Sequence, residues 1–263
     1  SGVFFGDMNG RQPINNGPNL LFWSTLTGAV TTNDNEAYWI GPPNSPQVLV
    51  RKGDAVTGLT NVNYNLGNLP HRLNANNQVA FITNLVGSGV TGSTNQGIAL
   101  GSTGNITLAV RRGDAAPGLT GVTMSSIDTG ALTLNSNGDL AFSTGLSGTG
   151  ITSANNAATW IKPNGQAPVL FARKGDAAPG APGTTHNDLG DVRLNNNQFA
   201  AFRGTLSGGS VTGANDVGIW AGTAGSLQYV ARCYLASPTT QSIPIPSLRR
   251  TITSSFILPS PEA

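Results

Sequence analysis

An asparagine-led segment recurs four times at a period near sixty residues, and that period governs what the chain can fold into. Leu73-Asn74-Ala75-Asn76-Asn77-Gln78-Val79-Ala80-Phe81 returns from Leu134 to Phe142 and from Leu194 to Phe202, and more loosely from Ile14 to Phe22. The leading asparagines are Asn15, Asn74, Asn135 and Asn195, so the spacings are 59, 61 and 60 residues. A second landmark runs from Val30 to Trp39, Val90 to Ala99, Ile151 to Trp160 and Val211 to Trp220. A third reads Arg51-Lys52-Gly53-Asp54, Arg111-Arg112-Gly113-Asp114 and Arg173-Lys174-Gly175-Asp176. Its fourth copy is broken, because Arg232 is followed by Cys233, Tyr234 and Leu235. Three landmarks in constant order over four copies define a repeat architecture, in which one unit buries its apolar face only against another.

Inside a unit the apolar residues come in short runs, such as Val79–Thr83, Gly97–Leu100 and Ile106–Val110, bounded by Gly, Asn and Ser. These are strand signals. A weaker run, Gly121-Val122-Thr123-Met124, precedes the asparagine segment. No window carries the i, i+3, i+4, i+7 pattern of an amphipathic helix. The expected fold is all-β, with four strands per unit, and a four-bladed β-propeller is its leading form. An open β-solenoid or a stacked-sheet array fits the same periodicity. The units span about 1–58, 59–118, 119–180 and 181–236. Residues 237–263 form an extended tail outside the repeat, in which Ser242–Pro246 is held extended by its prolines. Thr251–Leu258 then supplies one more strand, able to dock on its parent or on another chain.

Composition narrows the function classes. Charged residues make up 10% of the chain and glycines number 35, against roughly 25% charged in an average protein. The polar surface is therefore amide and hydroxyl, as is common in exported proteins. Seven of the fourteen Lys and Arg residues sit in the third landmark, which leaves no basic stripe for a nucleic-acid backbone. The single cysteine, Cys233, excludes an internal disulfide and reads as a small apolar filler. No run approaches the roughly 18 apolar residues of a membrane span. Ser1 followed by Val3-Phe4-Phe5 reads as the start of a mature domain from which a leader has been removed.

Each landmark has a structural and a functional reading. Asn74, Asn135 and Asn195 are expected to form turns that feed the Ala-Phe strand, since Asn bonds its own nearby backbone. Asp54, Asp114 and Asp176 are expected to cap backbone N–H groups or pair with arginine, beside a glycine at positive φ. Arg112-Gly113-Asp114 spells an integrin-recognition tripeptide, but Lys in the sibling copies makes that match accidental. Trp39, Trp160 and Trp220 either seal sheet against sheet or form a stacking platform for glycans. With them, Asn35, Asn95, Asn156 and Asp216 mark polar loops that could offer equivalent weak sites, multiplied by multivalency. His186 with Asp188 and Asp191 has the look of a sparse metal cluster, although a turn role is preferred. No metal, cofactor or catalytic group is expected, and no nucleophile elbow or phosphate loop occurs.

Asn135-Ser136-Asn137-Gly138-Asp139-Leu140-Ala141-Phe142 resembles the Asn-x-x-Gly-x-x-Ala-Phe element of the bacterial choice-of-anchor tandem repeats. Arg111 to Gly118 and Arg173 to Gly180 fit the same family. The resemblance covers residues 1 to about 236. It implies an exported bacterial protein, held at the cell surface by a C-terminal sorting signal, and no catalytic activity. Pro259-Ser260-Pro261-Glu262-Ala263 faintly resembles such a sorting box, without the hydrophobic segment expected after it. The sequence thus points to a non-enzymatic structural or interaction protein, extracellular or at the cell surface. It would contact other chains or itself through its β-faces and tail. A multivalent glycan-binding propeller is the alternative.

Overall fold

The computed structural model describes residues 2–8, 10 and 12–233. The expectations for 237–263 lie outside the described residues. Among the described residues no helix occurs, and the fold is all-β. Unit one comprises β1 (Val3–Phe5), β2 (Leu20–Gly28), β3 (Glu36–Gly41) and β4 (Gln47–Arg51). Unit two comprises β5 (Val62–Asn65), β6 (His71–Leu73), β7 (Val79–Gly87), β8 (Gln96–Ser102) and β9 (Asn105–Arg111). Unit three holds β10 (Val122–Leu134), β11 (Leu140–Gly148), β12 (Ala157–Lys162) and β13 (Val169–Arg173). Unit four holds β14 (Thr185–Leu194), β15 (Ala200–Ser207), β16 (Val217–Thr223) and β17 (Ser226–Arg232).

Each unit is one antiparallel sheet whose strands pair in chain order. In unit two, β5 and β6 both pair with β7 and are two halves of one first strand. In units three and four that strand is continuous but shifts register at Ile127/Leu132 and Leu189/Val192. A further register shift recurs at Tyr38/Trp39, Ile98/Ala99, Thr159/Trp160 and Ile219/Trp220. The same bulge thus re-aims the same side chain in every unit, as bulges conserved within a repeat do.

The core is distributed over the seams between sheets. One hydrophobic cluster joins units one and two around Tyr38, Tyr64 and Phe81. A second joins units two and three around Ile98, Phe142 and Trp160. A third joins units three and four around Ile161, Phe202 and Trp220. Among the described residues, no cluster spans units four and one. All four units nevertheless reach one cavity of about 440 Å3 lined by Gln12, Pro13, Arg72, Thr133 and Arg193. The last four of these stand two residues before each leading asparagine. No sheet curls onto itself; the sheets are open meanders packed in chain order.

Candidate functional site

The asparagines are a structural ladder. Asn135 Oδ1 accepts from the backbone N–H groups of Asn137 and Asp139 at 3.0 and 2.9 Å, which makes the turn. Its Nδ2 donates to the carbonyl of Asn195 in the next unit at 2.9 Å. Asn74 does the same toward Asn135 at 2.8 Å, and Asn15 toward Asn74 at 3.4 Å. The ladder therefore runs one way, from unit one to unit four. Asn74 and Asn135 are buried, whereas Asn195, at its end, is exposed.

The Gly-Asp turn splices one unit to the next. Gly53, Gly113 and Gly175 hold φ of 89°, 91° and 86°, a region that costs other residues. Their N–H groups donate to the carbonyls of Tyr64, Met124 and His186, each in the first strand of the following unit, at 2.7–2.8 Å. Asp54 and Asp114 accept from the N–H of Arg51 and Arg111 at 2.7 Å, as expected of capping carboxylates. Burial raises the Asp114 and Asp176 carboxyls above the ordinary aspartate value, against the pull of Arg111 and Arg173. The arginine that opens the motif has a second task in all four units. Its Nε donates to the carbonyl of Asp34, Thr94, Asn155 or Asn215, from Arg51, Arg111, Arg173 and Arg232 respectively. Unit four keeps this clamp, while the position equivalent to the splice glycine, Tyr234, lies outside the described residues.

The loop residues proposed as weak sites are used by the same framework. The carbonyls of Asn35, Asn95, Asn156 and Asp216 accept from Leu26, Leu85, Leu146 and Leu206 at 2.7–2.9 Å. Asn35 and Asn95 also take side-chain bonds from Lys52 and Arg112. Lys52 is further paired with Glu36 at 2.8 Å.

Two of the three tryptophans at the repeat position are sealed in the core, whereas Trp39 is half-buried. Trp160 and Trp220 are 0% exposed, and their indole N–H groups donate to Thr144 Oγ1 and the Pro179 carbonyl at 2.8 and 3.0 Å. Each stands opposite the phenylalanine of its own unit, Phe142 or Phe202. A face buried on both sides offers nothing for a sugar to stack on, so their role is to seal sheet on sheet. In unit two the partner of Phe81 is Ala99, and Tyr38 and Tyr64 close on Phe81 instead, at 4.8 and 6.1 Å. The Tyr38 hydroxyl donates toward the carbonyls of Gly67 and Leu69, each at 3.1 Å. Tyr64 keeps a buried hydroxyl without a hydrogen-bond partner, and desolvation, helped by the Asp54 charge, pushes its pKa to about 12.

His186 lies in strand β14 rather than in a turn, and it is buried. It occupies the core position held by Tyr64 and Met124 in the preceding units, 5.5 Å from Phe202 and 4.8 Å from Trp220. Both ring nitrogens are buried without a partner, and burial lowers its pKa to about 4. Asp188 and Asp191 lie exposed, and among the described residues no His, Cys, Asp or Glu cluster could hold a metal ion. His71 packs edge-on to Tyr38, with Nδ1 2.9 Å from the Leu69 carbonyl. Cys233 is exposed rather than filling the core.

Individual motifs did not reveal the surfaces that set this chain apart, which are the two outer sheet faces. Phe5 is 46% exposed, whereas its equivalents Tyr64, Met124 and His186 are 2%, 1% and 2% exposed. Val3 beside it is 48% exposed, and Trp39, stacked on Phe22 and edge-on to Phe5, is half-buried. At the other end Ile219 is 43% exposed, while Tyr38, Ile98 and Thr159 at the same position are each 0% exposed. Aligning the copies does carry a signal for the second face. Arg203 stands where Trp23, Ile82 and Ser143 are buried, and it is exposed.

The chain belongs to a family of unknown function, DUF7453, whose model matches residues 2–243. No curated protein matches it. Among solved structures, a Bacteroides ovatus protein described as a "putative hydrolase" aligns with a TM-score of 0.32 at 10% identity, over 90% of this chain and 69% of that one. A likeness at that level carries no argument about fold or activity.

Proposed function

We propose that this chain is an exported, non-enzymatic β-repeat protein that assembles with a further copy of itself through the outer face of unit one. The observation that carries this reading is the exposure of Val3 and Phe5 at repeat positions buried in every later unit. With Trp39 and the 46%-exposed Val48 they make an apolar surface on one sheet face. Exposed apolar patches of this kind mark interaction sites. Strand β1 is also a sheet edge, with backbone groups open to pairing. Two copies meeting face to face about a two-fold axis would bury like against like. The sparsely charged composition and the resemblance to surface-associated repeats support export. The commitment of both histidines to packing supports a non-enzymatic role.

Light scattering over a concentration series tests the reading. The intact chain should weigh more than its 26.9 kDa monomer at micromolar concentration. Val3→Asp combined with Val48→Lys should return it to monomer with an unchanged circular dichroism spectrum. An intact chain that stays monomeric at every concentration sinks the proposal.

A further inference from the structure

Basic residues are scarce in this chain, and seven of the fourteen belong to the Gly-Asp landmark. Two of the other seven, Arg72 and Arg193, share one repeat position, two residues before the leading asparagines of units two and four. The sheets place them alike. Arg72 stands opposite Ala80 and Arg193 opposite Ala201, each the alanine of its own Ala-Phe strand. Each guanidinium is held alike as well. Its Nη1 donates to the carbonyl of the preceding residue, His71 at 2.8 Å or Val192 at 3.1 Å.

Two cavities share this pair of arginines. The one that Gln12, Pro13 and Thr133 complete, of about 440 Å3, has no carboxylate among its described lining residues. The other, of about 430 Å3, adds Asn68 and Asp191. Both volumes fall within the roughly 300–1,000 Å3 of small-molecule sites. The Thr133 hydroxyl donates to the Val192 carbonyl at 2.8 Å, which ties unit three to the strand that carries Arg193. Asp191 stands 3.4 Å from Arg193, with the two side chains 56% and 64% exposed. An ion pair so open to water is weak, and a better acceptor displaces it. Two cations at one cavity repel each other, and nothing in the repeat asks for them, since units one and three use Pro13 and Thr133 there. A bound anion reverses the sign of that interaction. Guanidinium is also the group that grips carboxylate, phosphate or sulfate with two parallel hydrogen bonds.

We propose that Arg72 and Arg193 form a binding site for a small, multiply charged oxyanion: phosphate, sulfate or a dicarboxylate. Neither arginine belongs to unit one, so the site stands or falls apart from the assembly proposed above.

Isothermal titration of the full chain tests it, with sodium phosphate, sodium sulfate and sodium succinate in separate runs at an ionic strength fixed with sodium chloride. The three runs identify which oxyanion the site takes. At least one should bind once per chain with a submillimolar Kd. Arg72→Gln and Arg193→Gln should each weaken that binding at least tenfold with an unchanged circular dichroism spectrum. Arg203→Gln removes an exposed arginine that lines neither cavity, and should leave the Kd unchanged. Should the half-buried Arg72 prove necessary for folding, the exposed Arg193 decides the matter alone. Absence of saturable binding by all three anions would overturn the site. An equal loss in Arg203→Gln would also overturn it, by showing attraction to net charge alone.

Discussion

At the residue scale, the repeat register turns an odd histidine into an intelligible one. His186 sits where the first seam uses Tyr64 and the second uses Met124, so the position asks for a mid-sized, largely apolar filler. Imidazole meets that need only when neutral. Its pKa falls from 6.5 to about 4 on burial, so between those values the unfolded chain takes up a proton that the folded chain refuses. Its stabilising share is therefore full above pH 6.5 and is lost progressively as the pH falls toward 4. The loss is on the order of 2 kcal/mol, taken below the full shift to allow for solvent screening. The nearby Asp188, Asp191 and Arg203 are exposed, and Tyr229 packs edge-on to Trp220. Asp114 and Asp176, whose partly desolvated carboxyls have raised pKa values, respond in the opposite sense and offset part of the acid loss. His186→Met should leave the fold intact and flatten the decline of melting temperature between pH 6.5 and 4. An unchanged pH profile would mean that the imidazole is not the group responsible.

At the element scale, the splice turn and the asparagine ladder are the devices that set one sheet on the next. Each joins a unit to its successor through a backbone carbonyl, so both act whatever the neighbouring side chains are. A β-carbon on Gly175 would lie 2.7 Å from the Ala154 carbonyl oxygen, at a φ of 86°. Gly175→Ala should therefore cost about 2 kcal/mol or more, from left-handed strain and the displaced carbonyl. Urea unfolding measures this, and the matching change at Gly104, which meets nothing within 4 Å at a φ of 78°, should cost less. These turns were legible in the sequence because Gly-Asp and Asn-led motifs encode local backbone geometry. The bulge that recurs beside each tryptophan was not legible, because a register shift leaves no fixed residue type behind.

At the scale of the molecule, the chain behaves as four sheets coupled pairwise. Stability in such an array is close to a sum of unit terms and nearest-neighbour seam terms. Trp160 belongs to the middle seam alone. Trp160→Ala should cost about 3–5 kcal/mol, and hydrogen exchange should speed up in units two and three before it does in the outer sheet of unit one. Uniform acceleration across all four units would show instead that the array unfolds as one block.

The sequence by itself determined the number of units, their all-β character, their turns and the place where the pattern breaks. These are local or periodic properties, written in residue types at fixed offsets. The tertiary structure alone decided that Trp160 and Trp220 face inward, that His186 is core, and that the outer faces of units one and four are not covered by another of the described sheets. Those outcomes depend on which neighbour covers a given face. A residue such as Ile219 has the same local sequence logic as Ile98 and differs in that, among the described residues, no following sheet lies over it.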